Sequence, residues 1–151
     1  MNQRILLATD GSASARSAEA MAVNLCNHMG RCTLEVVTVI HPQVEKAAYS
    51  RAHPYGAYSS RADVTEAERL LSEVGDRIRA QLTNPEAKVY EQLLEHDSPA
   101  KAIVEEAEAT GECGMIILGA RGLGGFESLA LGSVSSQVLH AARCPVLIIK
   151  E

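Results

Sequence analysis

A chain of 151 residues, 46% of them apolar, has the length of one domain and enough apolar matter for a single substantial core, but is too small for two. Fourteen Lys and Arg against nineteen Asp and Glu leave a net charge of −5 with the bases gathered nowhere, which argues against a nucleic-acid partner. The longest apolar runs, Ile5 to Ala8 and Val146 to Ile149, fall far short of the roughly 20 residues that cross a bilayer, and the first reaches Asp10 too soon for a secretory segment, so a cytoplasmic protein without a membrane partner is expected.

Arg4 to Thr9 reads as a strand, and Asp10-Gly11-Ser12 as a turn able to cap a helix. Apolar residues at Ala18, Met21, Ala22, Leu25, Cys26 and Met29 follow the helical period, and Gly30 offers a stop. Thr33 to Ile40, β-branched and apolar, predicts a buried second strand. From His41 to Ala62 the pattern dissolves into prolines, serines and tyrosines. This predicts a long loop, functional or merely solvated, to which no chemistry is assigned.

A second helix is predicted over about Asp63 to Leu82, with Ala67, Leu70, Leu71, Val74 and Ile78 on one face and Gly75 as a local weak point. Lys88 to Leu94, polar on both faces, suits an edge strand. Asp97-Ser98-Pro99 opens a third helix, with Asp97 read as its cap and Gly111 as its end. Met115 to Leu118 is a fourth strand, Gly132 to Ala142 a fourth helix and Val146 to Ile149 a fifth strand. Strand and helix alternate throughout, and the strands are apolar at nearly every position. That pattern predicts an α/β fold, an open parallel sheet with helices on both faces.

Cys26, Cys32, Cys113 and Cys144 form no metal-ligand spacing and are expected as reduced, mostly buried thiols. His28, His41, His53, His96 and His140 lie far apart, in no order suited to acyl transfer.

Ligands of open parallel sheets bind beyond the carboxyl ends of the strands, which directs attention to the segments after strands one and four. Five glycines occupy the fourteen positions from Gly119 to Gly132, and Gly132-Ser133-Val134-Ser135-Ser136 leads into a helix. Glycine allows close backbone approach, while a helix start offers unpaired N–H groups and partial positive charge. With Ser133 as N-cap, position N3 is Ser136 rather than an acid, which leaves the terminus to an outside phosphate; hydroxyls at Ser133, Ser135 and Ser136 add donors. A flexible loop before an ordinary capped helix is the competing reading.

The spacing Gly119-x2-Gly122-x9-Gly132-Ser133 resembles the nucleotide signature of the ATP-binding branch of the universal stress protein family at every defined position. Ile5 to Ser12 resembles the opening strand and turn of that family, and Cys144 to Ile149 its closing strand, so the likeness spans the chain. It implies one domain over 1–151, with a five-stranded parallel sheet of order 3-2-1-4-5 in the Rossmann-like, adenine nucleotide alpha hydrolase-like class. It also implies ATP as ligand. Asp10 would then touch the ribose or the adenine side, and the Val39 backbone the adenine. Gly119, Gly122, Gly132, Ser133, Val134 and Ser135 would hold ribose and phosphates. For Asp10 a plain turn role stays open, and for Val39 a plain core role.

Few fixed positive charges accompany the amides and hydroxyls, so Mg²⁺ bridging the phosphates is expected. The apolar fifth strand, together with the resemblance, points to a homodimer through that edge. No G-x4-G-K-(S/T) occurs, and G-x-G-x-x-G fails because Gly122 and Gly124 are followed by Glu127; Arg121 could partly replace the missing lysine or be a surface arginine. A nucleotide-binding regulatory protein with slow or no hydrolysis, acting on a partner that the sequence does not name, is therefore preferred. The alternative is an enzyme using ATP as phosphoryl or adenylyl donor, for which no acid or base is identifiable.

Overall fold

The computed structural model describes residues 3–42, 59–109, 111, 113–123 and 130–151, without the side chain of Cys113. Most of the loop expected over 41–62, and the glycines at 124 and 125, lie outside the described residues. The elements run β1 (Gln3–Ala8), α1 (Ala13–His28), β2 (Cys32–Ile40), α2 (Arg61–Gln81), β3 (Ala87–Glu95), α3 (Pro99–Glu108), β4 (Cys113–Gly119), α4 (Ser133–Ala141) and β5 (Val146–Ile149). All four strand pairings are parallel, and the order is β3-β2-β1-β4-β5, as the resemblance implied.

Successive strand residues face opposite sides, so strands covered on both sides must be apolar throughout. Ile5, Leu7, Leu34, Val36 and Ile117 pack with Ala18, Ala22 and Cys26 of α1 and Leu71, Val74 and Ile78 of α2. Leu6, Ala8, Val37, Ile116 and Leu118 pack on the other side with Ala100, Ile103 and Val104 of α3 and Val138 of α4. The two sheet edges differ. Along β3 half-buried and exposed residues alternate from Ala87 to Leu93, with Tyr90 54% exposed, whereas all four residues of β5 are half-buried. Among the described residues no helix is long and apolar enough to cross a membrane.

Several local expectations are corrected. Helix α3 is capped by Ser98, whose Oγ accepts from Lys101 N–H at 3.3 Å, and not by Asp97. His96 Nδ1 accepts the Ser98 N–H at 2.8 Å, fixing the turn before the cap. Helix α2 starts two residues before the expected Asp63, because Ser60 and Asp63 close a capping box on each other. Helix α1 ends at His28 with Met29 in extended backbone, so Gly30 is not its left-handed stop. Gly75 makes room rather than merely weakening α2. A Cβ there would stand 2.6 Å from the Glu91 carboxyl carbon, and Glu91 receives two bonds from Arg79 at 2.6 and 2.7 Å.

Cys26 and Cys32 form a disulfide and not the expected pair of thiols, since the short connection from α1 to β2 brings their Cα atoms to 5.8 Å. Cys144 is free.

The helix C-termini gather at the amino end of the sheet, and those of α1, α2 and α3 are closed by side chains from outside each helix. Asn84 Nδ2 donates to the carbonyls of Cys26, Met29 and Gly30 at 2.7, 3.0 and 2.8 Å, capping α1. Asn27, on α1, returns the arrangement to α2: its Nδ2 donates to the Gln81 carbonyl at 3.1 Å and its Oδ1 accepts Thr83 N–H at 2.8 Å. Arg4 donates to the carbonyls of Glu106 and Ala107 at 3.1 and 3.2 Å, closing α3 with a positive charge that suits its dipole. The same guanidinium holds the Glu35 and Glu106 carboxylates.

Candidate functional site

At the carboxyl end, β1 leads to β2 on one side of the sheet and its other neighbour is β4, so a crevice opens between their ends. A cleft of about 620 Å³ occupies it, floored by Ala8, Val37, Leu118 and Gly119 and walled by the starts of α3 and α4. That volume lies within the roughly 300–1,000 Å³ of small-molecule sites. Of the residues singled out from sequence, Asp10, Val39, Gly119, Gly122, Gly132, Ser133, Val134 and Ser135 all line this one cleft.

The first wall is the turn after β1. Gly11 has φ +79°, a conformation that favours glycine, and it aims the chain into α1. Ser12 then caps that helix, accepting from Ala15 N–H at 3.2 Å. Asp10 joins this turn to the glycine segment: Oδ1 accepts Ser12 N–H at 2.9 Å and Oδ2 accepts Leu123 N–H at 3.1 Å. The turn role is thus filled by an exposed side chain that also lines the cleft.

The glycines act by close approach, and none in the described part of this segment has positive φ. A Cβ on Gly119 would stand 2.6 Å from the Ser14 carbonyl carbon and 2.7 Å from Ala15 N, so β4 can pass under the start of α1 only as glycine. On Gly122 it would stand 2.7 Å from Asp10 Oδ2. Gly132 closes the segment, donating its N–H to the Ala120 carbonyl at 2.6 Å.

Helix α4 corrects the expectation for Ser133. The N-cap is Gly132, with no side-chain cap bond, and Ser133 is the first helical residue. The first intrahelical bond comes from Ser136 N–H to the Gly132 carbonyl at 3.0 Å, so the amides of Ser133, Val134 and Ser135 have no carbonyl of their own helix to meet. By contrast α1, α2 and α3 each close on a serine cap. Ser133 is exposed on the cleft wall. Ser135 is not the hydroxyl donor expected of it: its buried Oγ donates to the carbonyls of Ala120 and Gly132 at 2.7 and 3.1 Å, leaving its amide.

Sequence reasoning missed Thr9, Thr38, Pro99 and Ile103 in the lining, and Ser14 behind it. Ser14 Oγ, almost fully buried, donates to the Arg121 carbonyl at 2.5 Å, and Arg121 N–H lies 3.3 Å from the same oxygen. A serine in the first turn of α1 carries no signal of that role, which depends on the packing that Gly119 permits.

The family model described as "Universal stress protein family" matches residues 1–150. A universal stress protein of Thermus aquaticus is 35% identical over 152 residues, covering 99% of this chain and 100% of that protein. The chain spans only 45% of the length of the mycobacterial universal stress proteins to which it is 27% identical. Among solved structures, the universal stress protein from Archaeoglobus fulgidus in complex with dAMP is 24% identical with TM-score 0.71, over 99% of this chain and 98% of that one. A universal stress protein in complex with cAMP is 23% identical with TM-score 0.69, over 99% and 97%. These two show a shared fold.

Proposed function

The chain belongs to the universal stress protein family, and we propose that it is an ATP-binding, regulatory member whose cleft at the β1–β4 switch point takes the nucleotide. One observation carries the reading. The start of α4 is the helix N-terminus without a side-chain cap among the four described, and it opens into the cleft. Three amides there, with the helix dipole behind them, suit an anion. The apolar floor suits a flat base. Fold neighbours described with cAMP and dAMP support an adenine nucleotide.

In this reading Asp10 meets the ribose or the adenine side, and the Val39 backbone the adenine. Gly119, Gly122, Gly132, Ser133, Val134 and Ser135 frame ribose and phosphates, Ser135 through its amide. Mg²⁺ would come on the phosphates: among the described residues no three His, Cys, Asp or Glu stand together to hold it. Hydrolysis is slow or absent without a partner, because the sequence has no P-loop lysine motif and no base is identified among the described residues of the cleft. We place the protein in the cytoplasm as one domain over 1–151, with nucleotide occupancy altering a surface read by another protein. Calorimetric titration tests the reading. Binding of ATP, ADP or AMP is expected, and no heat from any of them at millimolar concentration with folded protein would refute it.

We further infer a homodimer through β5. Val146–Ile149 is a short apolar edge, half-buried at every position, that pairing with a second copy would cover. Light scattering should give twice the chain mass, and a monomer throughout the micromolar range contradicts it.

A further inference from the structure

We propose that Arg121 makes the cleft sense the number of phosphates on its ligand, by exchanging Glu151 for a terminal phosphate. The inference rests on the cleft being an adenine-nucleotide site. Among the described residues lining it, the charged ones are Asp10 and Arg121, so a polyphosphate would meet one cation there.

The root of that side chain is held in place. Ser14 Oγ donates to the Arg121 carbonyl at 2.5 Å and Ser12 Oγ to the same oxygen at 3.3 Å, while Arg121 N–H donates to Ser14 Oγ at 3.3 Å. Its Cα lies only 3.4 Å from where a Cβ on Gly132 would be, so the arginine departs from beside the open start of α4. A guanidinium from this point complements the amides of α4: they offer neutral donors, and it offers charge in a fork that matches phosphate oxygens.

In the present structure the fork is turned to Glu151, with Nη2 to Oε1 at 3.3 Å. Glu151 is brought there by the sheet. Gly119 pairs with Ile149 in the β4–β5 register, and Ala120 N–H donates to the Ile149 carbonyl at 2.8 Å, which leaves Glu151 two residues beyond the anchored strand. Glu151 is half-exposed, so the ion pair is weak and screened by salt. A terminal phosphate bearing more charge and more acceptors competes well against such a carboxylate. A nucleoside monophosphate, already satisfied by the amides, has less to offer the arginine. Exchange would also release the residues after β5, the strand at the sheet edge.

The test is calorimetry at fixed low salt with Mg-ATP and with AMP, on the parent, Arg121→Gln and Glu151→Gln, each first shown folded by circular dichroism. Arg121→Gln should weaken ATP at least about tenfold while changing AMP by no more than about twofold, as expected for loss of charge-assisted hydrogen bonds. Glu151→Gln should tighten ATP by about two- to fivefold, the scale of an exposed ion pair, and leave AMP unchanged. If Arg121→Gln weakens both nucleotides equally, or neither, the arginine only ties β5 to the glycine segment and the proposal falls, while the cleft reading stands. Should the parent bind neither nucleotide, both fall together.

Discussion

At the amino end of the sheet, the C-termini of α1, α2 and α3 are each closed by a side chain from elsewhere in the fold: Asn84, Asn27 and Arg4. At the carboxyl end, α1, α2 and α3 cap themselves with serines, and α4 begins on Gly132 with no side-chain cap. Among the described residues, these three C-termini at the amino end have carbonyls matched from within the fold. The carboxyl end keeps one helix terminus in reserve, beside glycines that remove side chains from the approach. Stability and binding should therefore separate along the strand axis, and substitutions at the two ends test that separation.

The largest effect is expected at the amino end. Asn84→Ala removes three donations to the end of α1 and the acceptance of Glu86 N–H at 2.9 Å. Stranding partly buried carbonyls should cost about 2–3 kcal/mol. For a domain this size that lowers the melting temperature by about 5–10 °C. Nucleotide affinity at a temperature where the variant is folded should stay within about twofold of the parent, less than about 0.5 kcal/mol. A large loss of affinity in the folded variant would show that the two ends are coupled and break the comparison.

Gly122→Val is the reverse case. Its Cβ alone would stand 2.7 Å from Asp10 Oδ2, so Asp10 or the segment carrying Leu123 must move, and both line the cleft. Affinity should fall by about tenfold or more, or about 1.4 kcal/mol, while overpacking at an exposed position should lower stability by about 1 kcal/mol. Since φ at Gly122 is not positive, no backbone strain adds to that. Ser133→Ala, which removes one exposed hydroxyl and keeps the amide, should cost affinity less than the valine does. Titration and thermal melts of the same samples compare binding with stability directly. A folded valine variant that binds as the parent does would remove the glycine segment from the site.

These two ends were unequally legible in the sequence. Strand and helix order and the edge position of β3 follow from patterns local in the chain, apolar periods and turn residues, whereas the eight candidate residues that gather at one cleft came from the family resemblance that the glycine spacing carries. The strand order itself came from family resemblance, since alternation alone gives no order. The N-caps of α1, α3 and α4 were read to within a residue, and the misses, Asp97 for Ser98 and Ser133 for Gly132, fall where two neighbouring residues are both eligible. The amino-end closures were not legible. Asn84 meets Gly30 across 54 residues, and Arg4 meets the Glu106 carbonyl across 102, so their roles exist only once the sheet is assembled. The Cys26–Cys32 bond was missed for a related reason: six residues apart is not a metal spacing, and only the turn from α1 to β2 brings the two together.

The smallest effect sharpens the comparison, because it concerns charge at the amino end and should be silent at the cleft. Burial, and then the neighbouring Glu35 carboxylate, push the Glu106 carboxyl above its ordinary range, and the attraction of Arg4 offsets this only in part. A carboxyl whose folded-state value is raised favours the folded protein when protonated. Its contribution is thus complete below the ordinary Glu value of about 4.3 and is lost as pH rises through the folded value. Glu106→Gln mimics the protonated state at every pH, and an amide oxygen can still accept the Arg4 Nη2 bond that now measures 3.2 Å. The variant should melt with the parent in acid and progressively above it as pH rises to neutrality, with nucleotide affinity unchanged. Melts of both proteins between about pH 4 and 7 measure the difference, across the range where Glu titrates. If the difference is constant with pH, Glu106 does not titrate within that range. If the variant melts below the parent at neutral pH, the attraction of Arg4 for the ionised carboxylate outweighs the burial and the Glu35 charge, and the folded protein favours the charged form of Glu106 instead.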